Sequence, residues 1–290
     1  MSLSETAHAK INLTLHVTGK RTDGYHLLDS LVVFAAAADT LSYLPSCSPL
    51  SLDFTGPFGQ VLATEATDDN LVIRAARLLA EDRATEQTGR LILEKNLPVA
   101  SGIGGGSADA AATLRLLDRV WELNTPPDRL HSIAMQLGAD VPVCLAQHPT
   151  RMSGIGEQLA PAPALPDCGM ILVNCGEAVS TPAVFKARTK SFSPEATFPA
   201  SWPDAKAMAT DLARLTNDLE APACDICPTI RTVLNTIAGL PGCRLSRMSG
   251  SGATCFGLFD TAAAADTAAS ALTHNPTGAG WWVHAGPLLR

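Results

Sequence analysis

The chain has 290 residues, of which 46% are hydrophobic and 17% charged, and its formal net charge is −7. That length supports one large domain or two modest ones, and the balance is globular rather than disordered. The acidic balance speaks against a nucleic-acid partner, which needs a basic stripe, yet leaves room for a small anionic ligand held by local charge.

The opening "MSLSETAHAKINLTL" lacks a basic segment followed by an apolar h-region, and the longest apolar run, Leu31 to Ala38, is too short to cross a bilayer. The expectation is a cytoplasmic, non-exported protein with no membrane partner. Eight scattered cysteines in a chain of this size fit reduced thiols. Cys224 and Cys227 have CxxC spacing, but no second ligand pair at comparable spacing and no thioredoxin-like setting accompany them. They are read as structural, and no metal ligands are expected.

Ala9 to Val17 alternates, with Ile11, Leu13, Leu15 and Val17 on one face and Lys10, Asn12, Thr14 and His16 on the other, as in a strand. A loop with an Asp23–Gly24 turn signal follows, then a second strand, "LLDSLVVFA", and short apolar runs near Leu41 and Ser51. "DDNLVIRAARLLAEDRA" reads as an amphipathic helix capped by Asp68, Asp69 or Asn70. "GRLILEKNLP" is a strand, a helix runs from about Ser107 to Trp121, and a third helix, "PDRLHSIAMQL", stops at Gly138. Beyond residue 150 come a buried strand in "GMILVNCG", helices in "TPAVFKART" and "PASWPDAKAMATDLARL", and proline-rich connections at Pro161 to Pro166 and Pro194 to Pro203. A strand, glycine turn and strand in "RLSRMSGSGATCFGLFD", a helix in "TAAAADTAASAL" and a strand in "GWWVHAG" complete a mixed α+β chain. Two domains are expected, meeting near residue 150.

The segment "LPVASGIGGGSADAAATL" carries the chemistry. A helix N-terminus presents backbone N–H groups without intrahelical partners and the positive end of the dipole, and both attract phosphate. Glycines at 102, 104, 105 and 106 remove the Cβ atoms that would block that approach, and Ser107 offers a hydroxyl to a phosphate oxygen or its magnesium ion. A Walker-type loop needs a lysine that Ala108 displaces, and the dinucleotide fingerprint needs glycine or alanine where Ser107 stands. The cation must then come from elsewhere. Taken singly, Lys10 reads as a solvent-facing strand lysine, Asp140 in "LGADVP" as a turn aspartate, and Asp109 as a first-turn acid favoured by the helix dipole.

Together, "AHAKINLTLHVTGKRTDGYHLLDS", the glycine segment, "LGADVPVCL", "GIGEQL" and "RMSGSGATCFGLF" resemble the GHMP kinase superfamily over nearly the whole chain. The Asp-Gly-Tyr-His segment marks a branch acting on a cytidine diphosphate-linked methylerythritol. The resemblance implies a two-domain α+β fold: a ribosomal-protein-S5-like ATP-binding domain over 1–150, with a left-handed βαβ crossover, and a ferredoxin-like domain over 151–290. It places the active site in the cleft between them. It implies transfer of the γ-phosphate of ATP to the tertiary 2-hydroxyl of that substrate, in non-mevalonate isoprenoid biosynthesis.

Carried over residue by residue, Pro98, Val99, Ala100, Ser101, Gly102, Ile103, Gly104, Gly105, Gly106, Ser107 and Ala108 would cradle the ATP phosphates. Asp140 resembles the catalytic aspartate that accepts the hydroxyl proton, and Lys10 the lysine that holds this aspartate and the hydroxyl. Tyr25 and Phe185 would stack the cytosine, His26 would read its edge, and Asn12 would contact the polyol or its phosphate. Asn70 matches a stretch near the family's adenine pocket, with helix capping an equal account. Ala108 stands where many members have a second serine, and Cys144 where an aromatic residue is common. Mg2+ is expected as the ATP complex, held mainly by ATP and water. The expected partners are the small-molecule substrate and ATP, and the expected state is a monomer or weak homodimer. The competing functions are another small-molecule kinase of the superfamily, a nucleotide-binding regulator without turnover, and a dinucleotide oxidoreductase.

Overall fold

A computed structural model describes residues 3–63, 69–273 and 278–290. The elements begin with β1 (Ser4–Asn12), β2 (His16–Lys20), β3 (His26–Pro49), β4 (Ser51–Thr55), α1 (Gly59–Ala63), α2 (Leu71–Arg83) and β5 (Thr88–Glu94). Next come α3 (Gly105–Val120), α4 (Pro127–Leu137), α5 (Val141–Ala146), β6 (Thr150–Gly154), β7 (Gln158–Pro161) and β8 (Gly169–Asn174). The chain continues with α6 (Thr181–Ala187), α7 (Ala205–Leu212), α8 (Glu220–Ile226), α9 (Thr229–Ala238), β9 (Leu245–Met248), β10 (Cys255–Phe259), α10 (Ala262–Thr273) and β11 (Trp282–Leu289). None of the helices among the described residues is long and apolar enough to cross a membrane.

Two local outcomes differ from the sequence pattern. The alternation from Ala9 to Val17 is not one strand: β1 ends at Asn12 and β2 starts at His16. Long-range partners take the backbone between them. Arg247 donates to the Leu13 carbonyl at 2.8 Å, while Leu15 bonds Thr216 through its N–H and Asp218 through its carbonyl. The polar side is also buried, with Lys10, Asn12, Thr14 and His16 all inside, so the solvent-facing lysine expected of an isolated strand is absent. The second difference lies at α3. It starts at Gly105 rather than about Ser107, because Gly104 adopts a left-handed φ of 65° and serves as the cap. For α2 the cap is Asn70, whose Oδ1 accepts the Val72 N–H at 2.9 Å. Asp68 lies outside the described residues.

The chain forms two compact units, each assembled from separated segments. The first contains the residues through Ala9, Ala38–Val99 and Gly104–Gln147. Here the second half of β3 pairs antiparallel with β5 in a register matching Leu41 to Leu93 and Tyr43 to Leu91. β4 lies parallel to β5, so the connection carrying α1 and α2 is a crossover. α3 packs on α2 and α5, and α2 also packs on α4. The alanines of α3 at 108, 110, 111 and 112 are buried, and small side chains let neighbouring helices approach.

An ion triad sits inside this unit. Lys95, one residue past β5, donates to Asp39 Oδ2 at 2.5 Å and to Asp109 Oδ2 at 2.7 Å, and all three side chains are almost fully buried. Asp39 Oδ1 also accepts the N–H groups of Asn96 and Leu97 at 2.6 and 2.8 Å. Asp109 therefore does not act as a first-turn dipole acid. It lies in the second turn of α3, buried, and its Oδ1 has no partner among the described residues. One ammonium faces two carboxylates, and Asp39 is the better solvated by donors. Burial, with the Asp39 carboxylate adding to it, pushes the Asp109 carboxyl up to about 7 against the pull of Lys95. Burial disfavours the Lys95 charge, yet the two aspartates outweigh it and hold the lysine above its ordinary value.

The second unit contains Lys10–Ala37, Ala100–Ile103 and His148–Arg290. The first half of β3 pairs antiparallel with β2 and with β6, and β6 pairs with β7. A further antiparallel set runs β11-β8-β10-β9. With α9 between β8 and β9 and α10 between β10 and β11, this is the ferredoxin-like βαββαβ order, the fourth strand beside the first and the third beside the second. Ile171 and Val173 of β8, Val233 and Ile237 of α9, and Ala265, Ala268 and Leu272 of α10 share one buried cluster. Residues 100–103 join this unit through backbone pairing. Lys10 N–H donates to Ile103 O at 2.9 Å, Thr254 N–H to Ser101 O at 3.0 Å, and Ser249 Oγ to Gly102 O at 3.2 Å.

The triad makes a signed prediction. Asp109 binds its proton more tightly folded than unfolded, between the ordinary 3.8 and about 7, so the Asp109 contribution to stability falls as pH rises through that window. Asp109→Asn keeps an acceptor for Lys95 and leaves a balanced Lys95–Asp39 pair. Urea unfolding at about pH 5 and about pH 8 is expected to show a smaller decline with pH in the variant than in the wild type. Equal declines in both would contradict a protonated Asp109.

Candidate active site

The start of α3 is bare. Its cap, Gly104, brings no side chain and makes no capping bond, and the first-turn amides of a helix have no intrahelical acceptors. The helix is 16 residues long, so its dipole adds positive potential at that end. The four glycines have different causes. A Cβ on Gly102 would lie 2.6 Å from Gly252 O and 2.7 Å from Ser249 O, so this glycine is demanded by the backbone turn over 249–254. Gly106, in contrast, is exposed, and a Cβ there would meet only Leu71 at 3.6 Å. Packing accounts for Gly102, whereas no neighbour demands a glycine at 106.

Lys95 supports the site from below: a Cβ on Gly105 would stand 3.1 Å from its ammonium. Its charge is matched by Asp39 and Asp109, so the potential above the loop comes from the amides. Lys95 ties the second turn of α3, through Asp109, to Asp39 in the middle of β3 and to the end of β5. Among the other loop residues, Pro98, Ser101, Ile103 and Ala108 are buried, and the Ala108 N–H donates to Gly104 O at 2.8 Å. They act as supports, whereas Ala100, Gly106 and the half-buried Ser107 lie nearer the surface. Ala100 takes a left-handed φ of 51°, a strained geometry for alanine.

Lys10 is 3% exposed, and its Nζ donates to Asn12 Oδ1 at 3.0 Å. Asn12 in turn donates through Nδ2 to Ser30 Oγ at 2.7 Å, and Ser30 Oγ donates to the Thr14 carbonyl. The Asn12 N–H donates to Ser249 Oγ at 3.1 Å. Both polar atoms of the Asn12 amide are thus engaged inside the protein, where they orient Lys10. Asn217 braces the same glycine turn by donating to Met248 O and Gly250 O, each at 2.8 Å. Asp140 stands half-buried at the head of α5, belonging to the first unit as Lys10 belongs to the second.

The aromatic candidates Tyr25, His26 and Phe185 all belong to the second unit. The His26 and Phe185 rings stack with centroids 4.8 Å apart and planes at 19°. Tyr25 is 62% exposed, on a turn in which its N–H donates to Asp23 Oδ1 and its carbonyl accepts the Arg21 N–H. Partial burial, with the nearby charges of Lys20 and Arg188, holds His26 below its ordinary pKa. A neutral imidazole can both donate and accept a hydrogen bond at neutral pH, as reading a base edge requires.

Sequence reasoning missed Lys95, Asp39 and the bracing role of residues 249–254. The one local cue for Lys95 was a lysine ending an apolar strand directly before the glycine segment.

Comparison with known proteins fits this geometry. The GHMP kinases N terminal domain matches residues 70–148, and the GHMP kinases C terminal domain matches residues 199–276. The 4-diphosphocytidyl-2-C-methyl-D-erythritol kinase of Gluconacetobacter diazotrophicus is 59% identical, over 99% of this chain and 95% of its own length. The enzyme of that name from Granulibacter bethesdensis is 53% identical, over 98% and 94%. A crystal structure of 4-(cytidine 5'-diphospho)-2C-methyl-D-erythritol kinase superposes with a TM-score of 0.79 at 35% identity, covering 99% of each chain. Homoserine kinase from Cytophaga hutchinsonii, at 15% identity and a TM-score of 0.72 over 99% of this chain and 95% of its own, shares the fold alone. The uncapped, glycine-led helix start, the ferredoxin-like second unit and these full-length likenesses lead to one assignment: the chain is a GHMP kinase and belongs to the 4-diphosphocytidyl-2-C-methyl-D-erythritol kinase family.

Proposed function

We propose that this kinase transfers the γ-phosphate of ATP to the 2-hydroxyl of 4-diphosphocytidyl-2-C-methyl-D-erythritol, giving the 2-phosphate and ADP. The observation that carries the nucleotide half is the uncapped, glycine-led start of α3, whose free amides suit a polyphosphate. The family's full-length relatives and the stacked His26–Phe185 pair beside Tyr25 support the cytidine half.

In this reading the first-turn amides and Ser107 hold the triphosphate. Mg2+, when bound with ATP, neutralises phosphate charge. Asp140 accepts the proton as the alcohol oxygen attacks the γ-phosphorus, and the bond to the ADP oxygen breaks. Lys10, held by Asn12, supplies positive charge to the hydroxyl and the transferring group. Tyr25 and Phe185 flank the cytosine while His26 bonds its edge. Phosphoryl transfer depends chiefly on positioning and charge stabilisation, which these groups provide.

An ATP-dependent phosphorylation assay with the cytidine-linked methylerythritol, and plain methylerythritol phosphate as control, is expected to give product only with the first. Comparable turnover of the control, of homoserine or of mevalonate would contradict the assignment. Asp140→Asn is expected to lower turnover by a factor of about 10²–10⁴ while ATP binding is kept. Wild-type turnover in that variant would remove Asp140 from the mechanism.

A further inference from the structure

Past the end of β8, the second unit gathers another set of reactive side chains. Cys175 and Glu177 follow β8 and flank Gly176, whose left-handed φ is 82° and whose N–H donates to Asn174 Oδ1 at 2.7 Å. Cys227 caps the C-terminal end of α8. The two Sγ atoms and a Glu177 carboxylate oxygen all lie within 4.8 Å of one another, the one such group among the described residues. Cys224, the CxxC neighbour of Cys227, is not part of it. Tertiary structure therefore gives Cys227 a cysteine partner that sequence spacing did not point to.

The donor set and its dimensions suit one class of ion. In tetrahedral zinc, bonds of about 2.3 Å to sulfur and about 2.0–2.2 Å to carboxylate oxygen put a sulfur and an oxygen ligand about 3.5 Å apart, and two sulfurs about 3.8 Å apart. Cys227 Sγ is 3.4 Å from Glu177 Oε2, and the remaining separations, within 4.8 Å, need closing by no more than about 1.3 Å. Two thiolates favour a borderline-soft ion over a hard one, so Mg2+ is a poor match. Cys227 is buried, Cys175 half-buried and Glu177 exposed, which leaves one side open to water. Cys227 Sγ donates to Glu177 Oε2, so the two donors already face each other.

We propose that Cys175, Glu177 and Cys227 bind one divalent ion of the zinc class, with water completing its coordination. Binding replaces protons: two thiols and a carboxylate take up one M2+ and release two H+, so affinity rises with pH. The ion joins the end of β8 to the end of α8 beside the buried cluster of this unit, and stabilises the folded state by mass action.

The test is a Co2+ titration of the full chain under a non-chelating reductant, read by near-ultraviolet thiolate-to-cobalt charge transfer. The expected result is a band saturating at one ion per chain, displaced by Zn2+, with Zn2+ raising the melting temperature. Cys175→Ser and Cys227→Ser are expected to abolish the band. Glu177→Gln, at an exposed position that leaves the core intact, is expected to weaken binding by at least the ~10-fold that even outer-shell changes produce. Cys224→Ser and Cys47→Ser are expected to retain it. Absence of a band at one equivalent, its survival in Cys175→Ser or Cys227→Ser, or its loss in Cys224→Ser would each overturn the assignment.

Discussion

A helix that begins without a side-chain cap leaves its first amides open, and the fold around residues 98–108 depends on holding that start in place. A serine cap would occupy one of those donors. The chain instead opens α3 on Gly104–Gly106, accepting the entropic penalty of glycine, of order 0.5–1 kcal/mol at each helical position. It holds Ala100 in a left-handed conformation in the same stretch. Such a segment is unstable in isolation, and its supports are correspondingly strong. Lys95, Asp39 and Asp109 fix the second turn of α3, while residues 249–254 hold residues 101–103 by backbone and hydroxyl bonds.

Buried ion groups rarely stabilise a fold relative to well-packed apolar residues, but removing one partner of such a group costs about 3–5 kcal/mol. The triad therefore reads as a device for geometry more than for stability. It joins a residue of β3, the residue after β5 and the second turn of α3 at one point beneath the loop, and that point cannot shift without exposing an unpaired charge. Asn12 works in the same manner for Lys10: a buried amide with both ends occupied leaves the ammonium one orientation. Polar satisfaction, rather than apolar packing, positions the groups assigned to the chemistry.

What could be read directly from residues was local. The glycine-led start of α3 was legible because its cause, a left-handed cap and missing Cβ atoms, lies within ten residues. The capping of α2 by Asn70 and most elements beyond residue 150 were legible for the same reason. The break between β1 and β2 was not, since Arg247 reaches Leu13 from 234 positions away. Nor was the burial of Lys10, because alternation states which residues share a face and not what covers it. Asp109 looked like an ordinary dipole acid, and only the arrival of Lys95 and Asp39 gives it another function. The resemblance to a family supplied the ferredoxin-like order, which the backbone pairing of β8 to β11 then displays.

Gly106 offers the most direct test of whether the start of α3 is a phosphate site. It is exposed, its surroundings have room, and aspartate at the second position of a helix normally stabilises it through the dipole. Calorimetric titration of ATP into wild type and Gly106→Asp, with melting temperatures measured in parallel, separates the two effects. An unchanged or higher melting temperature together with at least a ~10-fold loss of ATP affinity, about 1.4 kcal/mol, is the predicted result. ATP bound as tightly by the variant as by the wild type would contradict the account.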